Sequence, residues 1–382
     1  MKLLVIGEVS VVDNRSCNSR NGSFDARMLK YTEFFDSLVY FGPGQEKILE
    51  LDDSKKLSYC STAGYNKSII GRSKLLHSSE VKENLLHIIH EFSPDLIELR
   101  VPSIFTLYCY HVVKNLKIPL MCYVAGEWSS SFAANYKFPF SSWLGNRLER
   151  TLEPIIKQCI TVVTGHVLKN KYSGLADCYP YYSTTHDEVH VPTAARNNTL
   201  IYLGRLEKLK RVDLAIHVLK HINDLCHIPF RLKIYGNGPE KKGLVELSAK
   251  LGVREYVDFS SYERDRAKLR IELLSAKYLL LLSKSEGTSK VLPEAMAHGV
   301  IPVAIRGVGS NDFILNDNNG LLCDSDAHSI AASIMSVESN ASCYSNMVSA
   351  CYKYAKAHTL DNEQIKMWEW VFCKMKELDI HE

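Results

Sequence analysis

Residues 279–299 read Leu279-Leu280-Leu281-Leu282-Ser283-Lys284-Ser285-Glu286-Gly287-Thr288-Ser289-Lys290-Val291-Leu292-Pro293-Glu294-Ala295-Met296-Ala297-His298-Gly299. Four consecutive leucines ending in small polar residues predict a buried strand, and the loop after them leads into a short helix stopped by Gly299. Pro293 has no N–H and fits a helix only near its start, which sets that start close to Ser289–Val291. The unpaired N–H groups of a first turn, with the partial positive charge of the helix dipole, suit a phosphate. Glu286 and Glu294 bracket the loop, and a carboxylate accepts from two vicinal hydroxyls at once. An anion cradle beside two carboxylates fits a sugar nucleotide. The plainer alternative has Glu286 capping the helix and Glu294 paired with a surface lysine.

Outward from this stretch, short apolar runs alternate with helical patterns along the whole chain. Strands are predicted at Lys2–Ile6, Ser37–Phe41, Leu96–Leu99, Pro119–Val124 and Thr161–Thr164, and again at Leu200–Leu203, Arg231–Tyr235, Tyr256–Phe259, Tyr278–Leu282 and Val300–Ile305. Helical periodicity lies between them, for example in Val81, Leu85, Ile88, Ile89 and Phe92, in Val212–Leu225, and in the amphipathic closing segment Glu363–Leu378. Strand, helix, strand in repetition means parallel β-α-β units. The polar, aperiodic segment Ser183–Thr199, which contains Pro192, reads as a linker or crossing segment. Two open sheets would then face each other, with ligand bound at their carboxyl ends.

Composition narrows the function. The chain has 382 residues, 46% hydrophobic and 23% charged, which excludes wholesale disorder. A net charge of +3 is too near neutral for a nucleic-acid binder, so no nucleic-acid partner is expected. No apolar run reaches the ~18–20 residues of a membrane span, and Met1–Gly7 reads as a first strand, not a signal peptide. Eleven cysteines, an odd number with no C-x-x-C and no zinc-ligand spacing, point to reduced thiols in a cytoplasmic protein.

A second constellation is Leu203-Gly204-Arg205-Leu206-Glu207-Lys208-Leu209-Lys210-Arg211, between a strand and a helix. Arg205 and Lys210 on one loop can neutralise a diphosphate, Arg by its fork and Lys as a point charge. A plain solvated basic loop is the alternative. A third is Ile234-Tyr235-Gly236-Asn237-Gly238-Pro239, where G-x-G after a strand fits phosphate binding or a tight turn equally.

Together, the two glutamates with seven residues between them, the Glu-Ala-Met-Ala-His-Gly run and the Gly-Arg-Leu…Lys loop resemble family 4 of the retaining glycosyltransferases. The resemblance spans the chain and is more specific in its second half. It implies the GT-B fold: α/β, two Rossmann-like doubly wound domains facing each other across a cleft. It also implies roles. Arg205 and Lys210 would hold the leaving diphosphate, Glu286 would contact the donor sugar, and Glu294 the ribose. The amides of Gly287, Thr288, Ser289 and Lys290 would meet sugar and phosphates, with Gly236 and Gly238 beside base and ribose. The closing helix would cross back onto the first domain.

Other candidates are weaker. Asp324-Ser325-Asp326 imitates a D-x-D metal motif, but the helical text after it makes Asp326 an N-cap, and no metal or other cofactor is expected. In the first half, Gly22 of Asn21-Gly22-Ser23-Phe24 lies in the loop after the first strand, fit for close approach to donor phosphate or acceptor, or for a plain turn. Glu127 follows the strand Pro119–Val124, where many relatives carry a histidine; it would orient or deprotonate an acceptor hydroxyl, or simply cap or pair. His166 is a further strand-end candidate. Phe132, Tyr136, Phe138, Phe140 and Trp143, with Lys137, Arg147 and Arg150, fit either core packing or peripheral contact with a membrane or lipid-linked acceptor.

The expectation is therefore a cytoplasmic, metal-independent, retaining transferase that moves sugar from a nucleotide sugar to a glycan or lipid-linked glycan acceptor, in polysaccharide or glycolipid biosynthesis, with peripheral contact at the inner face of the membrane as its extension. Residues 1–190 form the acceptor domain, 191–358 the nucleotide-sugar domain and 359–382 the returning helix. The alternatives are a nucleotide-sugar epimerase or sugar phosphorylase on the same fold, or a non-catalytic nucleotide-sugar-binding subunit. No lysine stands in a pyridoxal-phosphate motif, which weighs against the phosphorylase.

Overall fold

Lys2-Leu3-Leu4-Val5-Ile6 is the first strand, β1 (Lys2–Ile6), and every residue after Lys2 is buried. Such a run is satisfied only where both faces of a sheet are covered, which calls for parallel strands flanked by helices. The computed structural model describes residues 1–18, 23–51, 54–63, 79–128, 141–263 and 265–379. After β1 come a two-stranded ribbon of β2 (Val11–Asp13) and β3 (Ser16–Cys17), then α1 (Ser23–Tyr31), β4 (Ser37–Pro43), β5 (Leu57–Thr62), α2 (Ser79–Phe92), β6 (Leu96–Val101) and α3 (Ile104–Val113). The half closes with β7 (Leu120–Val124), α4 (Ser141–Arg150), α5 (Glu153–Gln158), β8 (Ile160–Thr164), α6 (Gly165–Tyr172) and β9 (Cys178–Tyr181). Its seven-stranded sheet is parallel throughout, in the order β5-β4-β1-β6-β7-β8-β9.

The second half repeats the design with β10 (Thr199–Leu203), α7 (Val212–Leu225), β11 (Arg231–Tyr235), α8 (Lys241–Lys250), β12 (Val257–Ser260), α9 (Arg266–Ser275) and β13 (Tyr278–Leu281). Then follow α10 (Val291–Ala297), β14 (Ile301–Ile305), α11 (Asn311–Ile314), β15 (Leu321–Cys323), α12 (Ala327–Glu338), α13 (Ala341–Ala357) and α14 (Leu360–Asp379). The sheet order is β12-β11-β10-β13-β14-β15, again all parallel.

The chain divides into two compact units, Met1–Tyr181 with Ile365–Glu382, and Tyr182–Gln364. The divisions fall ahead of residue 190 and after residue 358, and the second lies inside α14. Segment 183–199 is not a free linker. His186 is buried with Nε2 at 2.9 Å from the Ala355 carbonyl, His190 N–H donates to Ala297 at 2.7 Å, and Asn197 N–H donates to Ser275 at 2.9 Å. Its polar text, which sequence reads as loop, finds partners on the second unit instead of in water.

Alternation along β1 builds two cores. Leu4 and Ile6 join Val81, Leu85 and Ile88 of α2 and Phe105 of α3, while Leu3 and Val5 join Tyr31, Phe35, Met367, Trp368 and Val371. The Trp368 ring meets Tyr31 at 4.9 Å and Phe35 at 4.8 Å, both edge-on, so α14 closes one face of the first unit's sheet. All eleven cysteines are free, and most are buried among apolar residues.

Candidate active site

In the second sheet β10 is flanked by β11 on one side and β13 on the other, so the chain leaves β10 in one direction and returns on the opposite side. The loops after β10 and β13 therefore diverge at a switch point, where open α/β sheets hold ligands. They are tied together: Lys284 N–H donates to the Leu209 carbonyl at 2.9 Å. Across that tie Lys210 Nζ reaches Glu286 Oε1 at 2.7 Å, and Ser283 Oγ donates to the same oxygen at 2.6 Å. Lys210 and Glu286 are only 18% and 14% exposed, so this pair is shielded from bulk water. Glu286 thus caps nothing; it is held by a cation and a hydroxyl. Ser283 carries no motif of its own, and only its position three residues before Glu286 hints at the contact.

Arg205 stands apart. Its Nη1 pairs with Glu207 Oε1 at 2.7 Å and its side chain is 66% exposed, which leaves it at the rim. The hydroxyl of Tyr202 donates to the Arg205 carbonyl at 2.7 Å and fixes the turn beneath it. Gly236 and Gly238 press against this same loop. A Cβ on Gly236 would lie 1.9 Å from the Gly204 carbonyl oxygen, and one on Gly238 2.2 Å from that of Leu206, so only glycine allows the backbones to cross. The G-x-G serves this close approach whatever it does for a ligand.

The loop after β13 is buttressed by the one after β14. Gly309 has a φ of +58°, and a Cβ there would meet the Gly287 carbonyl oxygen at 2.4 Å. Ser310 N–H donates to Gly287 at 3.0 Å, and Thr288 Oγ1 lies 3.2 Å from Ser310 Oγ. Gly287 is exposed with open space beside it, Thr288, Ser289 and Lys290 are half-buried, and α10 begins at Val291. Glu294 sits in the first turn of α10 and its Oε1 accepts from Arg266 Nη1 at 3.1 Å, so its partner is an arginine of α9 and not a lysine. Burial pushes the Glu294 carboxyl above the usual range, against the pull of Arg266, the Thr185 hydroxyl and Lys290.

Behind α10, His298 is 6% exposed, with Nδ1 at 2.8 Å from the Glu294 carbonyl and its ring 4.9 Å from that of His190. Arg196, from the supposed linker, donates to the carbonyls of His298 and Ala276 and staples α10 to the end of α9. Burial, with the nearby positive charge of His190 and Arg270, lowers the His298 pKa to about 4. Unfolded histidine titrates near 6.5, so the unfolded chain binds the proton more readily between pH 6.5 and 4. The contribution of His298 to stability is complete above pH 6.5 and lost as pH falls toward 4, on the order of 2–3 kcal/mol. The loss of melting temperature between pH 6.5 and 4.5 should therefore shrink in His298→Asn relative to the parent, as read by thermal unfolding.

The remaining candidates lie elsewhere. Asp326 accepts from Ser329 N–H at 2.8 Å as the N-cap of α12. In the first unit Lys171 Nζ bridges Glu127 at 2.6 Å and Glu149 at 3.1 Å, and Tyr172 and the Trp128 N–H also donate to Glu149. Glu127 is thus one arm of a carboxylate–lysine network. His166 is on α6, its pKa lowered by burial and by Lys169. Gly22 and residues 132, 136, 137, 138 and 140 of the aromatic–basic cluster lie outside the described residues. Trp143 is 59% exposed with the Arg147 guanidinium 5.6 Å from its ring, so this part of the cluster is not core.

Residues 186–358, which hold both the Lys210–Glu286 pair and Glu294, match the family described as glycosyl transferases group 1. That stretch, a little under half of the chain, is similar to group 1 glycosyltransferases. Over 125 residues the chain is 30% identical to N-acetyl-alpha-D-glucosaminyl L-malate synthase of Bacillus anthracis, a match spanning 33% of this chain and 32% of that protein. The backbone is similar to sucrose-phosphate synthase of Thermosynechococcus elongatus, with a TM-score of 0.73 at 13% identity over 100% of both chains. It is also similar to Anabaena HepE, solved with UDP, with a TM-score of 0.68 at 15% identity over 96% and 99%. The fold is accordingly the two-unit, Rossmann-like GT-B architecture.

Proposed function

We propose that this chain is a retaining, metal-independent glycosyltransferase that binds a nucleotide sugar through its second unit and an acceptor hydroxyl, on a glycan or lipid-linked glycan, through its first. The observation that carries the reading is the shielded Lys210–Glu286 pair at the switch point of the second sheet. Each group is the other's counter-ion. A donor diphosphate takes over Lys210, and sugar hydroxyls take over Glu286. As the anomeric carbon gains positive character, negative charge grows on the departing phosphate, and a fixed cation there lowers the barrier in the way a metal would. Arg205, on its exposed arm, swings from Glu207 to the same phosphates. Glu294 accepts from the ribose hydroxyls in place of Arg266. The acceptor attacks from the face the diphosphate leaves, and a phosphate oxygen takes its proton.

The solved relative with UDP supports a nucleoside diphosphate as the ligand class. Among the described residues no helix is long and apolar enough to cross a membrane, and any lipid-linked acceptor would be met from the membrane surface. A thermal-shift screen tests the reading. At least one nucleoside diphosphate, at a hundredfold excess over Kd, should stabilise the protein by about 2.7 kcal/mol. No shift with any of them would overturn the assignment. Turnover of a nucleotide sugar only when an acceptor is added separates a transferase from an epimerase or a binding subunit.

A further inference from the structure

The first unit carries a buried charged group that this reaction scheme does not use. Glu98 and Arg100 are alternate residues of β6, on the face where Leu96 packs with α1 and α14. Glu98 is fully buried and the Arg100 side chain is 13% exposed. Arg100 Nη1 donates to Glu98 Oε1 at 2.7 Å, while its guanidinium lies 4.5 Å from the Tyr123 ring centre and 5.4 Å from that of Phe24. A guanidinium has five N–H donors. Beyond the bond to Glu98, those of Arg100 have no partner among the described residues, and Glu98 Oε2 is buried without one. A second guanidinium adds to the positive potential here: Arg27 of α1 donates to the Tyr123 hydroxyl at 3.3 Å and lies 5.9 Å from the Tyr123 and Tyr181 rings.

Position makes this more than a structural ion pair. In the first sheet β1 is flanked by β4 and β6, so its switch point lies between β1 and β6. Arg100 is the penultimate residue of β6, and Gly7 directly follows β1. A Cβ on Gly7 would lie 3.4 Å from Arg100 Cδ and 3.0 Å from the Tyr40 hydroxyl, so the glycine lets the Arg100 stem and the Tyr40 ring pack close over the end of β1. Aromatic walls, a partly reachable fork with unmet donors and a place at the carboxyl edge of the sheet suit a planar or tetrahedral oxyanion.

We propose that Arg100 anchors an oxyanion subsite in the first unit, and that the acceptor carries a phosphate or carboxylate group that docks on it. This rests on the reading that the first unit receives the acceptor. Inorganic phosphate and succinate are titrated separately into the full-length protein by calorimetry, with Arg100→Gln, Arg100→Lys and Lys210→Ala alongside. At least one anion should bind. Its affinity should fall tenfold or more in Arg100→Gln, fall less in Arg100→Lys, which keeps the charge but not the fork, and persist in Lys210→Ala. Phosphate alone binding identifies a phosphorylated acceptor, and succinate alone a carboxylate-bearing one. No binding, or binding lost in Lys210→Ala and kept in both Arg100 variants, overturns the subsite. If Arg100→Gln fails to fold, an unchanged affinity in Arg100→Lys does the same. Arg100-dependent binding in a protein that shows no nucleoside diphosphate shift would leave the subsite standing and defeat only the donor reading.

Discussion

Lys210→Ala should lower kcat by about 10²–10³-fold, the cost of removing one fixed charge donor from a developing oxyanion. The loss should fall mainly on kcat, because the charge on the leaving phosphate grows as the bond breaks. Lys210 is shielded and held by Glu286 at 2.7 Å, so its position does not have to be found at the moment of reaction. Arg205→Ala should cost less, roughly tenfold, because that side chain is two-thirds exposed and water screens it. Both variants should also lose most of the thermal shift with a nucleoside diphosphate. Removing Lys210 leaves Glu286 with Ser283 alone, so the variant's folding is checked by its melting curve before its rate is read. A kcat within threefold of the parent in well-folded Lys210→Ala would exclude this lysine from the reaction.

Trp368→Ala should destabilise the first unit by about 3–5 kcal/mol, as expected for emptying a large buried aromatic site. Trp368 is fully buried and lies between Tyr31, Phe35 and Phe372, and its edge-on contacts with the first two add to simple burial. At that size the melting temperature of the unit falls by roughly 10 °C. The second unit holds no part of this cluster, so nucleoside diphosphate binding at low temperature should survive the substitution. A melting curve unchanged by Trp368→Ala would mean that α14 contributes little to the first unit.

How much of this could be read from the sequence depends on whether the signal is local. Residues 279–299 were legible because four leucines and Pro293 each constrain their own neighbourhood, and the strand and the helix at Val291–Ala297 form there. The basic loop showed two cations but not their fates. Lys210 is claimed by a glutamate 76 positions on and Arg205 by its near neighbour Glu207, a choice made by tertiary packing. Arg196 lies in text that reads as linker, and its partners are carbonyls at the ends of two helices, α9 and α10, which no side-chain pattern announces. Strands β5, β9 and β15 were not anticipated. They are short or rich in Ser, Thr, Tyr and Cys, and β5, β9 and β15 lie at sheet edges, where weak apolar patterning is enough. The charged pair on β6 was visible as Glu98 and Arg100 inside an apolar run, and the strength of the run concealed it.

The last helix is synthesised after everything it covers. Until Met367, Trp368 and Val371 leave the ribosome, the face of the first sheet that carries Leu3 and Val5 is only part-covered, by α1 and Phe35. The nascent first unit must wait, with aromatic surface open, for the entire second unit to be made. A premature stop before α14 would therefore yield a sticky chain and not a smaller working one, and chaperone demand should track the time taken to translate the intervening 183 residues Tyr182–Gln364.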